Sequence, residues 1–122
     1  MHEFSLAQSV FETVLAVAEK HNVKKIKTVI LKFGMFALIQ EDQFRFCFDI
    51  LKSEYEVTSS SKLEIKWVPG KLKCSNCGFN GTVEEVPQDH NELAPIFSCP
   101  SCKSYATEII SGTETMIDSI VV

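Results

Sequence analysis

Long apolar runs are missing from this 122-residue chain. None approaches the roughly 18 residues that a membrane-spanning helix needs, which excludes a segment of that kind. A surplus of positive charge is missing too. Lysine and arginine number 12 against 16 aspartates and glutamates. Residues 1–70 carry nine of each sign, whereas residues 71–122 carry three basic and seven acidic side chains. That balance offers no basic face for phosphates and argues against nucleic-acid binding. No Ser/His/Asp, P-loop or H-E-x-x-H pattern occurs, so nothing indicates an enzyme. There is no low-complexity tract, and no internal repeat beyond two pairs of cysteines. Acidic Glu3 stands where a signal peptide would place lysine or arginine, so a cytoplasmic location is expected.

What is present suits one ordinary domain, or a small domain carrying a smaller appendage. From Leu6 to Ala18 the apolar residues Ala7, Val10, Phe11, Val14, Leu15 and Ala18 recur on one helical face, opposite Gln8, Glu12 and Glu19. Ser5 with Gln8 reads as a capping box, with a start two residues earlier as the alternative, and His21-Asn22 reads as the helix end, where His21 caps the last turn. Residues 25–33, "KIKTVILKF", carry β-branched and aromatic side chains at both parities and stop at Gly34, which predicts a strand covered on both sides.

A second amphipathic helix is predicted in "EDQFRFCFDILKSEY", with Phe44, Cys47, Phe48, Leu51 and Tyr55 on its stripe. Cys47 is read there as a small buried hydrophobe. "KLEIKWV" then alternates, Leu63, Ile65 and Trp67 on one face and Lys62, Glu64 and Lys66 on the other, and ends at Pro69-Gly70. After the cysteines, "ATEIISGTETMIDSIVV" is strand material interrupted at Gly112 and expected to rejoin the first sheet. The fold class is therefore α+β: a small mixed β-sheet packed with two amphipathic helices, plus an inserted zinc-ribbon-like module. The expected domains are 1–70 together with 107–122, and a metal-binding module at 71–106.

Cys74 and Cys77 in "CSNC", and Cys99 and Cys102 in "CPSC", form two C-x-x-C turns separated by 21 residues. Two thiolates on one tight turn converge on one cation, and two such turns supply the four sulfurs of a tetrahedral structural site. An odd total of five cysteines, four of them paired this way, fits a reducing compartment better than a disulfide framework. Zinc is the expected metal. Iron is the rival, because "CSNCG" and "CPSC" also resemble the knuckles of a rubredoxin-like electron carrier, and S₄ geometry alone does not separate the two. A zinc-ribbon nucleic-acid module is a further alternative, though Lys71 to Ala106 holds three lysines against four carboxylates. His90 is read as solvated, since four thiolates complete the site.

The start, "MHEFS", permits a different coordination chemistry. The amine of Met1, the deprotonated amide nitrogen of His2 and the His2 imidazole can close adjacent chelate rings in one plane. Such a nitrogen set favours Ni(II) or Cu(II) over tetrahedral Zn(II). Glu3 can add a fourth donor through its amide nitrogen or its carboxylate.

"MHEFSLAQSV", the paired C-x-x-C insert and "GTETMIDSI" together resemble the HypA family, accessory proteins that load nickel into [NiFe]-hydrogenases and, in some organisms, urease. The resemblance spans nearly the whole chain. It implies a nickel metallochaperone with nickel, Ni(II), as transient cargo at Met1, His2 and Glu3, and structural zinc, Zn(II), at Cys74, Cys77, Cys99 and Cys102. It also implies two protein partners, the nickel-handling GTPase of the maturation pathway and the hydrogenase large subunit. Three features depart from the family pattern: the 21-residue spacing is long, neither cysteine pair is followed by histidine, and Glu41 and Asp42 stand beside Gln40 where some relatives place a carboxylate.

Overall fold

A computed structural model describes residues 3–83 and 97–122. Among them the elements run α1 (Glu3–Lys20), β1 (Thr28–Gly34), α2 (Glu41–Lys52), β2 (Lys62–Val68), β3 (Gly70–Cys74), β4 (Asn80–Val83), β5 (Thr107–Ser111) and β6 (Thr115–Val121). They form one sheet of order β2-β1-β6 and another of order β4-β3-β5. The chain divides into two compact units, one of residues 1–32, 39–66 and 116–122, the other of 33–38 and 67–115.

In the first unit the periodicity of α1 is realised: Ala7, Val10, Phe11, Val14 and Ala18 are all buried. Of the two starts that the sequence allows, the earlier one holds. Ser5 lies inside α1, which is already helical at Glu3, so Ser5 is not its cap. The C-terminus is closed by a Schellman motif. Asn22 takes the left-handed conformation at φ 54°, its N–H bonds to the Glu19 carbonyl at 3.3 Å, and the Val23 N–H reaches back to the Ala18 carbonyl at 2.8 Å. Val23 and Ala18 line one apolar recess together with His21.

In α2, Phe44, Phe48 and Leu51 are buried as its stripe requires, while Cys47 is half-buried. Tyr55 falls beyond the helix and is exposed, yet its ring stacks on Phe11 at 6.2 Å. Phe11 also meets Phe48 at 4.9 Å, joining the two helices. Arg45 ties α2 to β2, its Nε donating to Glu41 at 3.0 Å and its Nη1 to the Leu63 carbonyl at 3.1 Å.

β1 is the central strand of its sheet. Val29, Leu31 and Phe33 are buried, but Thr28, Ile30 and Lys32 are only half-buried, so one face is sealed and the other partly open. Both-sided coverage was too strong an expectation: β-branched residues at both parities also suit a strand flanked by two neighbours with one face open. The Lys62 N–H donates to the Lys27 carbonyl at 2.8 Å, and Phe33 meets Trp67 near the far ends of the two strands at 5.8 Å, so β1 and β2 run parallel around the α2 crossover. Lys27 to Val121 and Gly34 to Glu114, at 2.8 and 2.7 Å, mark the two ends of an antiparallel β1–β6 pair. The sheet is therefore mixed.

The second unit is built on β3, whose neighbours β4 and β5 are both antiparallel to it. Here the reading of residues 107–122 as one return to the first sheet needs correction: β6 joins that sheet, whereas β5 pairs with β3, Leu72 opposite Ile109. The reason lies in Gly112, where φ is +110° and the chain turns. Its carbonyl accepts the Phe36 N–H at 2.7 Å. A Cβ on Gly34 would overlap that carbonyl, and a Cβ on Gly70 would overlap the Phe36 ring, so three glycines let backbone and aromatic ring approach closely. Among the described residues of this unit, Phe36, Leu72 and Phe97 form one buried apolar cluster, with Leu38 and Val83 at its edge. Phe36 and Phe97 lie 4.3 Å apart, centroid to centroid.

Candidate metal centre

Each cysteine pair sits on the same local device. In the first, the Gly78 N–H donates to the Cys74 carbonyl at 3.1 Å and the Cys74 N–H to the Phe79 carbonyl at 2.8 Å. In the second, the Lys103 N–H donates to the Cys99 carbonyl at 2.9 Å and the Cys99 N–H to the Ser104 carbonyl at 2.8 Å. The register is identical, so the two knuckles present their sulfurs alike. The first grows out of the β3–β4 hairpin. The second is tied to the first where the Ser75 N–H bonds to the Ala106 carbonyl at 3.0 Å.

The four Sγ atoms of Cys74, Cys77, Cys99 and Cys102 all lie within 4.8 Å of one another. Cys74 to Cys102 is 3.7 Å and Cys77 to Cys99 is 3.6 Å. Those separations are far beyond the roughly 2.05 Å of a disulfide. Four sulfurs about 2.3 Å from a central zinc ion stand about 3.8 Å apart along each tetrahedral edge. The cluster thus fits a zinc site.

The local electrostatics agree. The Asn76 amide donates to the Cys102 sulfur at 3.6 Å, and this contact, with the Ser104 backbone N–H, pulls the Cys102 thiol down to about 6. Burial opposes ionisation of Cys99, but the backbone N–H groups of Cys102 and Ser101 outweigh it and lower its pKa. At Cys77 the Phe79 backbone lowers the pKa; removal from water and the neighbouring Cys99, Cys102 and Cys74 sulfurs outweigh it and push the thiol up to about 11. Four thiols so crowded resist ionising together, and a central dication removes the conflict. Asn76 was not singled out from the sequence. Its signal was an amide inside a C-x-x-C turn.

Of the amino-terminal set, Glu3 is the first described residue, buried at 9% exposure. Its Oε1 accepts the backbone N–H of Gln40 at 3.1 Å. Met1, His2 and His90 lie outside the described residues, as does 84–96 of the long inter-cysteine segment. Glu41 is engaged by Arg45, and Asp42 is exposed.

The family model for HypA, described as "Hydrogenase/urease nickel incorporation, metallochaperone", matches residues 1–122. The chain belongs to the HypA family. Its relatives include the hydrogenase maturation factor HypA of Methanopyrus kandleri, 35% identical with 98% of this chain and 92% of the relative covered. That of Dehalococcoides mccartyi strain 195 is 34% identical over the same shares. Among solved structures, the solution structure of the Ni metallochaperone HypA from Helicobacter pylori superposes with a TM-score of 0.64 at 22% identity, covering 99% of this chain and 97% of that one, and shares the fold. The family is one of nickel metallochaperones acting in hydrogenase maturation, and the cysteine cluster fits its structural zinc. Membership does not favour the electron-carrier or nucleic-acid readings. No helix among the described residues is long and apolar enough to cross a membrane.

Proposed function

We propose that this chain carries nickel at its amino terminus and returns it unchanged, without catalysis, while zinc holds a separate module in shape. Nickel is bound by the Met1 amine, the His2 amide and imidazole, and the Glu3 region. Zinc is bound by Cys74, Cys77, Cys99 and Cys102. The first unit carries the cargo and the second the structural ion. The recipients are the nickel-handling GTPase of the maturation pathway and the hydrogenase large subunit, with urease as a second possible client, and the setting is the cytoplasm. The observation that carries this reading is the family match beginning at residue 1, with Met-His-Glu leading into a helix.

Three nitrogens from two adjacent residues form a compact site that a small motion can open, which suits cargo that must leave. Acid weakens it, since protons compete for the same nitrogens. The test is nickel titration of the untagged protein, followed by the absorption band of planar Ni(II), with elemental analysis for zinc. His2→Ala should abolish nickel binding and leave the zinc content unchanged. Full nickel affinity in that variant overturns the assignment.

A further inference from the structure

The end of α1, the segment that follows it and the end of β6, all within the first unit, enclose an apolar recess of about 240 Å³ lined by Val17, Val23, Ile26, Ile120 and Val122 together with His21. It opens to solvent, since Val17 is 37% and Val122 65% exposed. The volume falls below the roughly 300–1,000 Å³ of small-molecule sites. It suits instead a single anchoring side chain, of the kind that fills a pocket at the centre of a protein interface.

The chain around the opening is basic. Lys20 adjoins His21, Lys24 and Lys25 separate Val23 from Ile26, and Lys27 follows; all four are exposed. No aspartate or glutamate occurs from residue 20 to residue 40. Among the described residues Lys20, Lys24 and Lys27 enter no ion pair, and Lys25 Nζ donates to the neutral Ser60 hydroxyl at 3.2 Å. Against them stand Glu19, one residue before Lys20, and Glu56, beside the Val57 carbonyl that accepts the Ile26 N–H at 2.9 Å. A chain of net charge −4 thus gathers a positive surplus around one apolar opening.

We propose that this recess is a docking site for an acidic segment of a partner protein, which seats one apolar side chain in the opening while carboxylates on either side of it meet Lys20, Lys24, Lys25 and Lys27. Opposite charge guides the encounter and sets the register, and the buried anchor holds the complex. α1 has 18 residues, about 27 Å at 1.5 Å per residue, so docking at its Lys20 end does not draw on its Glu3 end. The site is independent of the nickel assignment and is tested separately from it.

The probe is the peptide acetyl-Asp-Glu-Leu-Glu-Asp-amide, titrated at low salt into the ¹⁵N-labelled, zinc-loaded full chain. The amides of Val17, His21, Val23, Ile26 and Ile120 should shift with a dissociation constant of about 1 mM or tighter. A peptide with alanine in place of leucine should bind at least about tenfold more weakly, and one with lysine in place of the four acids should leave these amides unmoved. Val17→Asp, a charge at an exposed edge of the recess, should abolish binding. Lys24→Glu combined with Lys27→Glu should weaken it about tenfold, and the gap to wild type should close near 1 M salt, where the screening length is about 3 Å. Helical circular dichroism and zinc content confirm that each variant folds; should Val17→Asp not fold, the peptide series on wild type decides alone. No shift of the recess amides up to about 10 mM peptide, equal binding of the alanine peptide, or unchanged binding by Val17→Asp overturns the proposal. Two other occupants overturn it as well: a second copy, if the recess amides shift with protein concentration alone, or a membrane, if phosphatidylserine vesicles sediment the chain and displace the peptide.

Discussion

Gly78 and Lys103 occupy the same place in their respective knuckles, each four residues past the first cysteine of its pair, and both have positive φ, 79° and 64°. Nothing lies within 4 Å of a Cβ built on Gly78, so a side chain there meets only backbone strain. Gly78→Ala should therefore destabilise the zinc-loaded protein by about 1–2 kcal/mol, the ordinary cost of a left-handed residue. Lys103→Gly should stabilise it by less than about 1 kcal/mol, because the relief is offset by glycine's freedom in the unfolded chain. Urea unfolding of both variants, with zinc in excess, measures the pair. A stabilising Gly78→Ala would show that the two knuckles are not equivalent.

Gly34 presents the opposite situation, because its missing side chain is space already used by the Gly112 carbonyl. Gly34→Ala should cost more than Gly78→Ala, about 2–3 kcal/mol, since backbone on both sides has to move. Thermal unfolding of the two alanine variants side by side gives the ranking.

Removing zinc should dissolve the second unit's sheet. Its two cysteine turns, one at the end of β3 and one ahead of β5, converge on one cluster, and structural zinc contributes apparent free energies of about 10–16 kcal/mol in small modules at neutral pH. With a strong chelator, the amides of β3 should exchange freely with solvent while the helical circular dichroism of α1 and α2 persists. Protected β3 amides in metal-free protein would refute the expectation.

Asp118 accepts from Lys66 Nζ at 3.1 Å and pairs with Lys32 at 3.4 Å. The Lys66 contact first, then Lys32, hold its carboxyl below the ordinary 3.8. A depressed carboxyl stabilises the folded state above the unfolded value, and that contribution is lost as pH falls through the folded value. The stability gap between wild type and Asp118→Asn should thus be full near neutrality, close in strong acid, and shrink at about 1 M salt, where screening acts within about 3 Å.

The parts of this fold that could be read in the sequence were those set by local period. Phe44, Phe48 and Leu51 fall on α2's buried stripe, and Leu63 and Ile65 face inward in β2, because each pattern is decided within a few residues. The four sulfurs were legible for the same reason: C-x-x-C is a property of one turn. What escaped depends on partners distant in sequence. Ser5 looked like a cap because its neighbours matched a motif, yet α1 is already helical at Glu3, whose carboxylate acceptor bond is to Gln40. Residues 107–111 and 115–121 share a β-rich composition, and only the turn at Gly112 and the opposition of Leu72 to Ile109 assign them to different sheets. Composition carries no address.

α1 is already helical at Glu3, which puts the amino end of the helix at the first described residue. Aligned peptide dipoles leave roughly half a positive elementary charge there, which opposes a neighbouring cation by about 0.3–1 kcal/mol. Under the proposed assignment, nickel on the residues that precede α1 in the sequence is pushed outward by the helix dipole, and delivery is favoured over storage.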